Sequence, residues 1–438
     1  MLSREDNELV TRTGPGTPAG ALLRRFWQPA ALVEELSPRR PVKAVRLLGE
    51  DLVLFRDEQG RLGLIGRRCP HRGTDLAFGR LEDGGLRCVY HGWLFDVAGR
   101  CREQPAEPEG SRFHEKVRHV AYPCREVNGI VFAYLGPGTP PPLPALDCFV
   151  APPEYTFAFK GYLECNWLQA LEGGIDPAHV SFLHRFFDDD EPAGRYGKQF
   201  REDVAGAGVP LSRIAREYFR PRIEVEPTPY GLRILALRGL GAGRVHVRVT
   251  NLVFPNAIAI SLGDDMVITQ WHVPIDDEHS WWYDIFHSYR APVDRETMRR
   301  DRLELYTLPD YRPRRNRAND YGYDPEEQRT RTYTGMGFDI NTHDTFAQES
   351  PGPIHDRTRE HLGYTDRAIT AYRTLLLRAI RELARAPEAP VDVPGLDGSR
   401  IAGPIAVDLV APEDAWAERW RAHDRARRLA SPWATPLE

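Results

Sequence analysis

The chain predicts an α+β fold of two unequal domains, and three features of its 438 residues lead there. The first third alternates short apolar runs with Gly and Asp turn signals, the pattern of a small antiparallel β domain. A proline-rich stretch, Gly136-Pro137-Gly138-Thr139-Pro140-Pro141-Pro142-Leu143-Pro144, cannot continue a central strand or helix and marks a stiff connector. Beyond it lie longer strand-like runs and one long helical pattern, which predict an antiparallel sheet with helices packed on it.

Taken in order, Thr13-Gly14-Pro15-Gly16 is a turn, and Ala21 to Trp27 reads as a short helix that packs on the later domain. Val45-Leu48, Leu52-Phe55 and Leu62-Ile65 read as strands separated by Gly49, Asp57 and Gly60, and Gly129-Leu135 reads as another. After the connector a helix-like run spans Trp167 to His184. Strands follow at Gly231-Leu237, Val245-Phe254, Ala257-Leu262, Met266-Val273 and Ser280-Ser288. The charged, tyrosine-rich stretch Arg312-Tyr333 reads as a loop or lid. In Asp366-Ala384 the residues Ile369, Tyr372, Leu376, Ile380 and Leu383 recur at helical spacing, an amphipathic helix whose stripe is core. The expected division is an N-terminal segment at 1–40 that packs on the catalytic domain, a β domain at 41–148, a catalytic domain at 149–385 and a C-terminal extension at 386–438.

Charge and composition exclude some classes. The net charge of −5, without a concentrated basic patch, leaves no electrostatic footprint for nucleic acid. No apolar run approaches the eighteen or so residues that span a bilayer, and Glu5, Asp6 and Glu8 interrupt the N-terminus, so the expected location is the cytoplasm. Beyond Cys69 and Cys88, the cysteines at 101, 124, 148 and 165 form no CxxC pair and read as reduced, buried residues.

The chemistry begins at Cys69-Pro70-His71 and, after sixteen intervening residues, Cys88-Val89-Tyr90-His91. Each half offers one thiolate and one imidazole, so each iron of a 2Fe-2S cluster can take a matched pair. Two Cys on one iron and two His on the other make a Rieske centre, with a potential of about −150 to +300 mV. A Cys2His2 zinc site uses the same ligand types, but begins with Cys-x2-4-Cys and ends with His-x3-5-His. Gly92 is expected to let the backbone pass close to inorganic sulfur, and Tyr90 and Trp93 to shield the cluster from water.

A second constellation is Glu172-Gly-Gly-Ile-Asp176-Pro-Ala-His179-Val-Ser-Phe-Leu-His184. His179 and His184 are close enough to bind one metal ion, and a carboxylate would complete a 2-His-1-carboxylate triad, whose open positions suit O2 and substrate at ferrous iron. Spacing alone does not pick that carboxylate from 63. Asp176, three residues before His179, is placed to accept its far ring N–H; it reads equally as an acid favoured by a helix N-terminus.

These motifs, Cys69-Pro-His-Arg-Gly73, Cys88-Val-Tyr-His-Gly-Trp93 and the Glu-x3-Asp-x2-His-x4-His form, resemble those of the Rieske non-haem iron ring-hydroxylating oxygenases, in the phthalate 4,5-dioxygenase branch of their large subunit. The similarity runs from about residue 8 to about residue 385. The resemblance implies a Rieske domain followed by a catalytic domain of helix-grip type, and mononuclear Fe(II). It also picks a third ligand: Asn341-Thr-His343-Asp344-Thr-Phe-Ala-Gln-Glu-Ser350 resembles the family's C-terminal signature, whose first Asp is Asp344 here. His343 stands where glutamine is expected; it reads as an outer-shell group, with ligation as a lesser alternative. The resemblance further implies that Asp176 contacts His91 of a neighbouring subunit, in a homotrimer or stacked trimers.

The function so implied is a terminal oxygenase component that hydroxylates an aromatic substrate with O2, by dioxygenation or monooxygenation. Electrons would come from a separate NAD(P)H-dependent reductase carrying flavin and 2Fe-2S, since Gly14-Pro15-Gly16 and Gly239-Leu240-Gly241 lack a dinucleotide-fold context. An aryl-ether O-demethylase and a Rieske electron carrier or sensor remain alternatives. For a substrate carboxylate, strand alternation puts Arg244, His246, Arg248 and Thr250 on one face, and Arg248 or Arg244 could clamp it; Arg201, Arg213 and Arg216 compete.

Overall fold

The computed structural model describes residues 1–188, 204–386, 393–398 and 401–437. Two four-stranded antiparallel sheets form the small domain. One orders Val42–Leu47, Glu50–Arg56, Leu62–Gly66 and Ala121–Tyr122; the other joins the three-residue strands Arg80–Glu82, Gly85–Arg87, Leu94–Asp96 and Cys101–Glu103. The run Leu52-Val53-Leu54-Phe55 is apolar on both faces because both are covered. Val53 and Phe55 enter a small core with Ile65, Cys69, Leu86, Cys88, Trp93 and Phe95, while Leu52 and Leu54 point into the main core. The hairpin before it turns at Leu48 and Gly49, both at positive φ (51° and 76°).

Trp27–Leu32 pairs with Ile130–Tyr134, which pairs with Cys124–Val127. The predicted helix at 21–27 instead spans Pro18–Leu23, with Thr17 Oγ1 accepting the Gly20 N–H (3.2 Å) and proline in the first turn; Trp27 already belongs to a strand. This helix and Arg4–Thr11 both pack on the long helix Arg367–Arg385. That helix buries Ile369, Tyr372, Leu376, Ile380 and Leu383, the stripe read from the sequence.

The catalytic sheet is antiparallel and ordered Thr156–Leu163, Ser280–Ser288, Met266–Pro274, Ala257–Ser261, Arg244–Val253, Gly231–Gly241, Arg222–Thr228. Val407–Pro412 pairs with the first half of Arg244–Val253. The segment after 385 is therefore no detached extension at this point, since it supplies an eighth strand. Its Val407, Leu409, Ala411 and Trp420 cover Val245, Val247 and Val249, giving the valine face its own core.

The helix-like run from Trp167 breaks early. Asn166 Oδ1 caps Trp167–Gly174 by accepting the Leu168 N–H (3.1 Å), and the helix ends at Gly174. Pro177 has no N–H to continue it, and the chain resumes as a single 3-10 turn at His179–Ser181. Arg312-Tyr333 is not an open loop: it holds a 3-10 segment, Arg317–Gly322, and a helix, Pro325–Thr330. Among the described residues, no helix is long and apolar enough to cross a membrane.

Candidate metal centres

The two Cys/His halves adopt one backbone design. In the first, the Cys69 N–H donates to Thr74 O (2.8 Å) and the Gly73 N–H to Cys69 O (2.8 Å). In the second, the Cys88 N–H donates to Trp93 O (2.8 Å) and the Gly92 N–H to Cys88 O (3.0 Å). Each turn closes through a glycine at positive φ, 78° and 74°. A Cβ on Gly92 would also lie 2.7 Å from Pro105 Cγ, so Pro105 as well as the turn requires glycine there. The loops bring the His71 and His91 ring centroids to 4.5 Å.

Cys69 and Cys88 are buried, and burial pushes the Cys69 thiol up to about 11, with the nearby Cys88 sulfur adding to it. Such a thiol gives up its proton when a metal binds. His71 Nδ1 is buried and has no hydrogen-bond partner among the described residues, a cost that ligation removes. Two thiols and two imidazoles, one of them with an orphaned ring nitrogen, fit a 2Fe-2S cluster. Trp93 is buried and stacks on His71 at 4.4 Å, whereas Tyr90 is 54% exposed and covers His91 from outside. Of the two expected shields, Trp93 is the one enclosed within the chain.

The second centre joins distant segments. The break at Gly174-Pro177 swings His179 and His184 towards Asp344 on the helix Ile340–Glu349. His179 Nε2 lies 3.2 Å from His184 Nε2, and Asp344 Oδ1 lies 3.8 Å and 3.3 Å from these two nitrogens. Burial holds His184 down to about 3, with Arg248 adding to it, and lowers His179, so both rings are neutral and have lone pairs to donate. Burial pushes the Asp344 carboxyl up to about 6, against the pull of His179. Two neutral imidazoles and a carboxylate with an open side fit a ferrous ion.

Asp176 supports His179 differently from expectation. Its backbone carbonyl faces His179 Nδ1 at 2.5 Å, while its carboxylate is 3.9 Å away and accepts the Ala178 N–H (2.7 Å). The Asp-Pro turn aims the carbonyl rather than the side chain at the ring. Glu172, the first residue of the motif, is not part of the His179, His184 and Asp344 group: it is buried and accepts from Arg357 (2.8 Å) and Arg373 (2.6 Å), locking the helix Trp167–Gly174 to Arg367–Arg385.

A partly open cavity of about 90 Å³ lies beside His179, His184 and Asp344, walled by Ile258, Ile260, Leu262, Ile268 and Trp282, with Arg248 and Thr250 among its polar groups. Arg248 is thus at the cavity, but Arg244 is exposed at the end of its strand and is not part of the lining. The polar face is buried rather than solvated because Asp408, directly opposite Arg248, pairs with both Arg248 and His246. Arg238 is buried beside them; its Nη2 donates to Pro177 O (2.9 Å), and its Nε and Nη1 have no partner among the described residues. Sequence reasoning missed both Arg238 and Asp408, although a lone charge inside an apolar strand run was a visible signal in each case.

The competing arginines lie elsewhere. Arg213 pairs with Glu217 (3.0 Å), Arg216 donates to Phe186 O (2.9 Å), and Arg201 lies outside the described residues. A wider hollow of about 780 Å³ touches His179 from another side and is lined by Phe182, Tyr321, Tyr323 and Tyr333 of the predicted lid region and its neighbours.

Residues 26–123 match the Rieske [2Fe-2S] domain family, and residues 134–393 match the family described as LigXa C-terminal domain like. The phthalate 4,5-dioxygenase oxygenase subunit of Pseudomonas putida is 38% identical over 400 residues, covering 87% of this chain and 86% of that protein. The 5,5'-dehydrodivanillate O-demethylase oxygenase subunit of Sphingobium sp. (strain NBRC 103272 / SYK-6) is 33% identical over 412 residues, 91% of this chain and 85% of that one. Among solved structures, the terminal oxygenase of carbazole 1,9a-dioxygenase from Novosphingobium sp. KA1 shares the fold, with a TM-score of 0.54 at 20% identity over 86% of this chain and 95% of that one.

Proposed function

The chain belongs to the Rieske non-haem iron oxygenases, as an oxygenase subunit of a family that uses a 2Fe-2S cluster and a mononuclear iron, and we propose that its substrate is an aromatic carboxylate. In this reading Cys69 and Cys88 hold one iron of the cluster and His71 and His91 the other. His179, His184 and Asp344 hold the mononuclear iron. When bound, the two centres supply stored electrons and activation of O2.

The chain's own residues set what is presented to that iron. Ile258, Ile260, Leu262, Ile268 and Trp282 exclude water and accept an aromatic ring by apolar contact. The observation that carries the proposal is the guanidinium of Arg248, which stands at the cavity's polar end and is oriented by Asp408 on the paired strand. A substrate carboxylate would bind that guanidinium while the ring points at the iron. Relatives named as the oxygenase subunits of phthalate 4,5-dioxygenase and 3-chlorobenzoate-3,4-dioxygenase support the same class of substrate.

The electron source in this proposal is a separate NAD(P)H-dependent reductase with flavin and 2Fe-2S. Gly14-Pro15-Gly16 precedes a helix with no strand before it, and Gly239-Leu240-Gly241 lies at a hairpin, so neither has the setting of a dinucleotide site. We place the protein in the cytoplasm, with which six cysteines that form no disulfide accord. We also propose a homotrimer or stacked trimers, in which the cluster of one chain faces the iron of the next; such a head-to-tail contact is heterologous and closes into a ring.

The test is a single turnover of the reduced protein with O2 and paired benzoates, methoxybenzoates and their neutral amides. Oxidation of acids over amides is expected, and Arg248→Gln should raise KM for the acids by about ten-fold or more, as for a lost charged hydrogen bond, with little change for the amides. Equal oxidation of acids and amides would overturn the substrate class. Oxidation of none would favour an electron carrier.

A further inference from the structure

His343 precedes Asp344 on the helix Ile340–Glu349 and is fully buried. Its ring stands behind His184: His343 Nδ1 lies 3.4 Å from His184 Nδ1, while His184 Nε2 faces Asp344 and His179. The other nitrogen, His343 Nε2, lies 2.9 Å from the carbonyl oxygen of Gly337.

These contacts fix proton positions. A carbonyl oxygen only accepts, so His343 carries its proton on Nε2, and Nδ1 of the neutral ring holds a lone pair. That lone pair accepts from His184, which places the His184 proton on Nδ1 and its lone pair on Nε2. The opposite arrangement, a proton on His343 Nδ1, would turn His184 into a ring with N–H on the metal side. His179 reaches the same state by another route, through the Asp176 carbonyl at its Nδ1.

The carbonyl that starts this chain is itself held. The Gly337 N–H donates to Glu327 Oε1 (2.6 Å), and the Thr332 hydroxyl donates to the same oxygen (2.6 Å). Gly337 sits at φ 81°, where a Cβ would lie 2.6 Å from Arg315 Nη1, so the turn requires glycine. The C-terminal part of the tyrosine-rich segment therefore holds the residue that orients His343.

We propose that His343 is a positioning residue that sets the tautomer and orientation of His184, so that its Nε2 lone pair is aimed at the mononuclear metal. The proposal rests on the assignment of His179, His184 and Asp344 as ligands. It assigns His343 no bond to the metal.

Equilibrium dialysis tests it on the full-length protein, its mononuclear iron removed by a chelator, its cluster retained and Fe(II) returned anaerobically. His343→Leu should weaken Fe(II) binding about 10- to 100-fold, the usual effect of losing an outer-shell partner. His343→Gln, whose amide can accept from His184 and donate to Gly337, should restore binding to within about three-fold of the parent. Parent-like binding by His343→Leu would overturn the proposal. Should that variant fail to fold, Co(II) in the parent and in His343→Gln decides by proton NMR. Two contact-shifted, exchangeable ring N–H signals are expected in the parent, one of which alone moves in the variant. A single such signal, or no change in the variant, would overturn it. A parent that binds no Fe(II) would overturn the ligand assignment beneath it and this proposal with it.

Discussion

The two Cys/His loops close on themselves within six residues each, by two backbone hydrogen bonds and one glycine, and carry their proposed ligands on contiguous chain. The mononuclear site has no such local frame. Its histidines sit on a broken helix end and its aspartate on a helix far along the sequence, and what holds them in register is a buried set of charges: Glu172 between Arg357 and Arg373, and Asp408 between Arg248 and His246. A site built from contiguous chain is shaped by turn geometry, whereas one built from distant segments depends on tertiary pairing. The two should therefore fail separately and under different stresses.

The largest expected effect is at the distant ligand. Asp344→Ala should remove the mononuclear iron and lower oxygenation at least about 100-fold, as outer limits for metal-site changes allow. The red-brown colour and the low average g value of the reduced cluster should stay as in the parent. Metal analysis with electron paramagnetic resonance reads both centres at once. Loss of the cluster in this variant would break the comparison.

Acid should separate the regions next. Glu360 accepts from Arg373 and pairs with His355 (2.9 Å), and despite its burial these partners hold its carboxyl down to about 2 from an ordinary 4.5. Its folded pKa lies below its unfolded one, so its contribution is present above about pH 4.5 and is lost as pH falls through about 2. Tryptophan fluorescence of the catalytic domain should show a loss of stability in that window, and Glu360→Gln should flatten the dependence there. Bleaching of the cluster in the same step, unchanged by Glu360→Gln, would mean that the two regions share one acid-sensitive lock.

The smallest effect on metal content is expected from Asp176→Asn. The backbone carbonyl that holds His179 is untouched, and an amide oxygen can still accept the Ala178 N–H. Both metals should remain at parental occupancy. If electrons cross between subunits by way of His91, Asp176 and His179, reoxidation of the reduced cluster by O2 and substrate in stopped flow should slow sharply. Loss of iron from this variant would show that the carboxylate, rather than the carbonyl, holds the ring.

Much of the molecule was legible in the chain because its signals are local. Strands such as Ser280–Ser288 and the helix at Arg367–Arg385 follow from periodicity, which records a buried face directly. The two Cys/His pairs stand next to their turn glycines, Gly73 and Gly92, and His179 and His184 lie five residues apart in one motif. Asp344 came only through resemblance, since nothing near it in sequence marks it as a ligand.

By itself, then, the sequence determined the α+β class and the cluster loops, for which neighbouring residues carry the whole physical reason, and it paired His179 with His184 by spacing without fixing where their rings point. Tertiary structure alone decided that Arg248 reaches the cavity and Arg244 does not. It also decided that Asp408, from a strand near the C-terminus, balances part of that charge, and that His343 stands behind His184. Each depends on which distant backbone lies opposite in the sheet or across the core, and a buried charge or imidazole takes its role from the partner that burial forces upon it.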